Sequence, residues 1–258
     1  MRPFLTLHHP STAQTYYKAG LWRNDTFYSL MAQHAAAKPD VVALRDGHRT
    51  LTWKELLGAV DATAALLRVN GLVRGDRVSL WLSNRVEVLI AYLACSREGF
   101  ACNPSLHRTY TCAEIGELLN RLTTRALVTE PGWGADRART DFDAVLKKNV
   151  PSLKIALTPD TFPKSAISNS PAVSDPDKLV YLAFTSGTTG APKCVMHSDN
   201  SLLANARAMA TDWRHHEDIV LLSMSPLTHA IGTIAMAQSL VSGFELVVND
   251  LPDRKSTR

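Results

Sequence analysis

Residues 179–197 read LVYLAFTSGTTGAPKCVMH, an apolar run that gives way at Thr185 to small and hydroxylated side chains. Thr185, Ser186, Gly187, Thr188, Thr189 and Gly190 leave their backbone N–H groups unobstructed. The glycines let the chain curl so that several of those groups point at one anion. The hydroxyls add short donors to phosphate oxygens, and Lys193 brings a compact positive charge within reach of them. Leu179–Phe184 has the length and β-prone composition of a buried strand. A strand that breaks into such a loop is suited to cradling a polyphosphate.

The P-loop, GxxxxGK[ST], is the first pattern to try on this segment. Laid on from Gly187 it needs glycine at 192 and a hydroxyl at 194, where Pro192 and Cys194 stand. Proline removes an N–H needed for close backbone approach, and cysteine is a poor oxygen-type ligand for magnesium. The P-loop reading thus fails at two of its four fixed positions, which disfavours an unrelated kinase or NTPase. Other reactive side chains nearby carry blander readings. His197 precedes Ser198-Asp199, a helix-capping pair, and is expected to be structural. His215-His216 with Glu217 and Asp218 lacks a second ligand pair at metal spacing and reads as a polar turn. Cys194 beside Lys193 has no legible activating partner and reads as a strand residue.

The string TSGTTGxPK after an apolar strand resembles the signature of the adenylate-forming enzymes: acyl-CoA synthetases, luciferases and peptide-synthetase adenylation domains. FYSLMAQHAAAKPDVVAL followed by RTLTWKEL, and VRGDRV at 73–78, resemble the opening of that family's AMP-binding domain. Ser225-Pro226-Leu227-Thr228-His229-Ala230-Ile231-Gly232 is similar to its second core motif. The resemblance runs from about Thr26 to Asp250 and implies that His229 lines the acyl pocket. It implies ATP, Mg2+ and coenzyme A as cofactor and substrates, and a small-molecule carboxylic acid as partner. It also implies elements beyond Arg258: a Tyr-Gly-x-Thr-Glu segment, a ribose-binding Asp, and a small C-terminal domain with a catalytic Lys. The chain thus reads as the N-terminal portion of an ATP-dependent carboxylic acid:CoA ligase, without a catalytic residue of its own and inactive alone. A non-catalytic phosphate-binding remnant or scaffold, or an adenylation domain that does not use coenzyme A, are the alternatives.

The elements that must hold these residues follow from spacing. Residues 1–24 lack a period and are expected to form an arm; 25–258 form the truncated large domain, with a Pro-rich linker at about 158–178 between two αβ units. Phe27, Leu30, Met31 and His34 mark a helix stopped by Pro39, and Asp46-Gly47 marks a hairpin. Thr52 and Glu55 have capping-box spacing, and Gly71 ends the helix they open. Strands at 77–82, 125–129 and 153–157 alternate with helices at 87–98, 111–122 and 136–148. Such alternation predicts an α/β fold, parallel-rich sheets with helices on both faces. A helix is expected over 200–213. Phe244–Val248 is expected to be a strand whose next neighbours are missing, leaving an edge and an apolar face in water.

Composition narrows the remaining classes. Of 258 residues 45% are hydrophobic and 20% charged, which excludes a disordered chain. The net charge of +4 comes without a basic block, so no nucleic-acid partner is expected, and Arg137, Arg139, Lys147 and Lys148 read as a solvated helix face. Residues 219–244 carry no Asp, Glu, Lys or Arg, but Pro226, His229 and Gln238 interrupt them, so a strand, a turn and a helix are expected instead of a membrane span. Four cysteines without CxxC spacing fit free thiols, and a cytoplasmic location is expected.

Overall fold

The computed structural model describes residues 8–165, 170–185 and 193–250. In chain order the first elements are α1 (Pro10–Lys18), α2 (Phe27–Ala37), β1 (Val42–Arg45), β2 (Thr50–Thr52), α3 (Trp53–Val69), β3 (Arg77–Trp81), α4 (Val86–Glu98), β4 (Ala101–Asn103) and α5 (Cys112–Arg121). They are followed by β5 (Ala126–Thr129), α6 (Phe142–Asn149), β6 (Ile155–Leu157), β7 (Leu179–Thr185), β8 (Lys193–Ser198), α7 (Asp199–Asp212), β9 (Val220–Ser223), α8 (Ala230–Ser242) and β10 (Glu245–Val248). Side-chain caps fix where several helices begin. Thr52 and Glu55 form the predicted reciprocal box at α3, and Thr111 with Glu114 and Ser198 with Ser201 do the same at α5 and α7. Gly99 ends α4 with φ of 73°, a left-handed conformation open to glycine at little cost.

Two sheets result. One has the order β6-β5-β3-β4-β7-β8, parallel except for β8; the other has the order β2-β1-β10-β9, parallel except for β2. The fold is α/β with parallel-rich sheets. Side chains of β5 alternate between two apolar clusters: Ala126 and Val128 join one, Leu127 the other. Both faces of that strand are therefore covered, as parallel strands require. The stretch at 158–178 does not divide the sheets. Strands β7 and β8 beyond it join β3–β6, and β1 and β2 before it join β9 and β10.

Four elements differ from the sequence reading. Residues 10–18 of the expected arm form a helix with no buried residue, which is why no apolar period announced it. It is tied down from outside: Tyr17 Oη donates to Asp177 at 2.8 Å and accepts from Asn200 Nδ2 at 2.8 Å. Strand β4 is three buried residues long, too short to show a pattern, yet it lies between β3 and β7. Helix α6 begins at Phe142, because Asp136 is engaged elsewhere: it accepts the Cys112 N–H at 2.8 Å, at the first turn of α5. Lastly, β10 is an interior strand. It pairs with β1 through Leu44 and Leu246 on one side and with β9 on the other. The edge that meets water is β9, where Val220, Leu222 and the following Met224 are 54%, 53% and 67% exposed.

Candidate functional site

The start of the site is built by β7. Val180, Tyr181, Leu182 and Phe184 are buried, and Thr185 emerges at the strand's carboxyl end. Across the antiparallel pairing Ala183 faces Val195, Phe184 faces Cys194 and Thr185 faces Lys193. Thr185 Oγ1 donates to the Lys193 carbonyl at 3.5 Å. The two described members of the predicted phosphate cradle are thus brought together, both exposed, as the last pair of the β7–β8 ladder. Ser186, Gly187, Thr188, Thr189 and Gly190 lie outside the described residues.

Behind this pair runs a short segment that joins β4 to α5. Ser105 Oγ accepts the Phe184 N–H at 2.8 Å and donates to Asn103 Oδ1 at 2.8 Å, while the Ser105 N–H reaches the same oxygen at 3.2 Å. The residue before Thr185 is therefore held by a buried hydroxyl from the neighbouring strand's end. Asn103 Nδ2 is buried and has no hydrogen-bond partner among the described residues. Two residues on, the His107 carbonyl accepts the Trp81 indole N–H at 3.1 Å. This places the His107 ring 4.6 Å from that of His229, tilted by 39°.

His229 is the N-cap residue of α8 but makes no side-chain capping bond, so its ring is not committed to the helix. The turn before it closes tightly. A Cβ on Gly232 would lie 2.7 Å from the Pro226 oxygen, an approach open only to glycine. Asn84, just past β3, pins this turn to both sheets. Its Oδ1 accepts the Leu227 N–H at 2.9 Å and its Nδ2 donates to the Asn249 carbonyl at 3.0 Å. A narrow hollow lies there, lined by Leu82, Asn84, Val88, Pro104, Leu227 and Thr228.

Burial, reinforced by the neighbouring His229, pushes the His107 imidazole below the usual histidine range. Burial likewise lowers His197, whose Nδ1 is 3.2 Å from Ser201 Oγ beside the cap of α7, a structural place. Burial raises the Cys194 thiol, which keeps it from being an activated nucleophile. His215 packs edge-on against Phe244, while His216 is 3.6 Å from Asp218. Among the described residues no cluster of three or more His, Cys, Asp or Glu could hold a metal ion. Also among the described residues, no helix is long and apolar enough to cross a membrane.

Asn84, Asn103, Ser105 and His107 were not legible as site residues. The available signal was position: all four lie at or just past the carboxyl ends of parallel strands β3 and β4, where open α/β sheets bind ligands.

A parallel-rich α/β fold with its TSGTTGAPK segment leaving the carboxyl end of a buried strand defines the adenylate-forming class. The chain belongs to the family of AMP-binding enzymes, which it matches over residues 31–257. It is 28% identical over 246 residues to the medium-chain fatty-acid–CoA ligase of Escherichia coli strain K12, covering 90% of this chain and 43% of that ligase. Malformin synthetase mlfA of Aspergillus luchuensis is 28% identical over 225 residues, or 87% of this chain and 4% of the synthetase. The inhibitor-bound N-terminal domain of FACL13 from Mycobacterium tuberculosis has the same fold, with a TM-score of 0.78 at 20% identity. That likeness covers 90% of this chain and 58% of the other. The chain therefore spans less than half the length of the ligase it resembles.

Proposed function

We propose that this chain is the N-terminal portion of an ATP-dependent carboxylic acid:CoA ligase, binding ATP through Thr185–Gly190 and Lys193 and an acid beside His229. The observation that carries the reading is the pairing of Thr185 with Lys193 at the carboxyl end of β7. It puts a hydroxyl and an ammonium-bearing residue at the two ends of the glycine-containing segment. In the proposed reaction a carboxylate oxygen attacks the α-phosphorus of ATP, the bond from that phosphorus to the bridging oxygen breaks, and pyrophosphate leaves. A thiolate of coenzyme A then displaces AMP from the acyl-adenylate. The chain's own residues would hold the β- and γ-phosphates and orient the acid, a task of positioning and charge stabilisation. The free thiols of Cys95, Cys102, Cys112 and Cys194 support a reducing, cytoplasmic setting.

The test is a phosphorus NMR titration of the chain with ATP. Lys193→Ala is expected to weaken binding by about tenfold or more, the effect of losing a charge-assisted contact. Equal affinity in the two proteins sinks the reading. ATP–pyrophosphate exchange with short, aromatic and long-chain acids is expected to be absent in the chain alone, since the adenine wall and magnesium donors are assigned to other parts of a longer polypeptide. Acid-dependent exchange that Lys193→Ala abolishes would show a self-sufficient site instead. A second reading is phosphate binding without chemistry. ATP binding without exchange in a full-length parent would select it.

A further inference from the structure

The segment from Asn103 to His107 touches both halves of the proposed site. At one end Ser105 Oγ holds the Phe184 N–H, one residue before Thr185. At the other end His107 lies against His229, at the start of α8. A reacting carboxylate must sit between a polyphosphate at Thr185 and an acyl pocket at His229, and this segment is what spans that gap. Resting on the reading above, we propose that His107, paired with His229, is the docking point for the carboxylate group of the acid substrate.

Two observations support this. Among the described residues neither imidazole hydrogen-bonds to another protein group, so the ring nitrogens of both are available to a ligand. The pair is also electrostatically one-sided. Burial and His229 both disfavour a charged His107, and among the described residues no carboxylate opposes them. An anion placed at the ring edges would supply the missing partner and accept N–H bonds from one or both rings. The backbone contact that orients His107, from Trp81 to its carbonyl, does not involve the side chain and should survive substitution.

The experiment follows the imidazole proton signals of the intact chain during titration with acetate, hexanoate, dodecanoate, benzoate and salicylate at fixed pH. The expected result is a saturable shift of both the His107 and His229 signals with at least one of these acids. His107→Ala should weaken that binding by about tenfold or more, the usual effect of losing a hydrogen bond to a charged group. His107→Asn, which retains a donor, should recover part of the loss. Thermal unfolding should be nearly unchanged in both variants, which separates lost recognition from lost fold. No saturable shift with any of the acids, or equal affinity in wild type and His107→Ala, overturns the proposal. Inorganic tripolyphosphate provides the second arm, because His107→Ala should leave its affinity within about twofold. Failure of tripolyphosphate binding with an intact carboxylate response would strike the phosphate reading alone. The reverse pattern would strike only the role of His107.

Discussion

Strands β7 and β9 are both short apolar runs followed by turn residues, yet they occupy opposite situations. β7 has β4 on one side and β8 on the other, and Val180, Tyr181, Leu182 and Phe184 are buried. Among the described residues β9 has β10 on one side only, and more than half of the surface of Val220 and of Leu222 stays in contact with water. The base of β7 is also clamped. Lys178, just before it, pairs with Asp199, just after β8, at 2.7 Å, and the same aspartate accepts the Phe27 N–H and the Ser96 hydroxyl at 2.8 Å each. Both charges are fully buried. A residue's apolarity thus says little about its burial here; the number of strand neighbours decides it. The strand that carries the candidate site is the one held from both sides and from below.

The sharpest way to break this contrast is Asp199→Ala. It would leave the Lys178 ammonium buried without its partner and strip two further donors, at an expected cost of about 3–5 kcal/mol. Urea unfolding would measure it, and a loss below 1 kcal/mol would mean the clamp does not hold β7. The next effect compares like with like. Leu182→Ala in β7 should cost about 2–5 kcal/mol by opening a cavity, whereas Leu222→Ala in β9 should fall within about 0.5 kcal/mol of wild type. Similar losses in the two variants would show that β9 is covered in solution.

The smallest effect is one of pH. His34, His107 and His197 are each held below the ordinary histidine range, in every case chiefly by burial. The unfolded chain takes up protons near pH 6.5, where the folded protein resists them, so the unfolded state binds more protons below that pH. These groups therefore leave stability undiminished above about pH 6.5 and erode it as the pH falls below that value. The urea midpoint should drop between pH 7.5 and pH 5.5; a rise over that interval would contradict the placement of these rings.

Much of the scaffold was legible because its signals are local. Thr52 with Glu55 announced α3, and Asp46-Gly47 announced the β1–β2 hairpin. What escaped depends on partners far along the chain. β10 looked like an edge because its second neighbour, β1, lies at the far end of the chain, while only β9 is close to it in sequence. β4 is three residues long and shows no period. At the candidate site, residue types pointed to Thr185, Lys193 and His229, since each stands in a recognisable string. His107 and Asn84 stand in none. Their contribution comes from the turn of α8, which is brought to them only by the assembled sheets.

The pairing of Leu44 with Leu246 also sets a timetable. At roughly 5–20 residues per second of synthesis, about 10–40 s separate the appearance of β1 from that of its strand partner. During that interval the β1–β2 hairpin has no β10 to lie against, and isolated hairpins are marginal in water. The six-stranded sheet, whose last strand ends at Ser198, can close earlier. The nascent protein would then carry its candidate phosphate-binding hairpin in place while the beginning of the chain still waits for its other half.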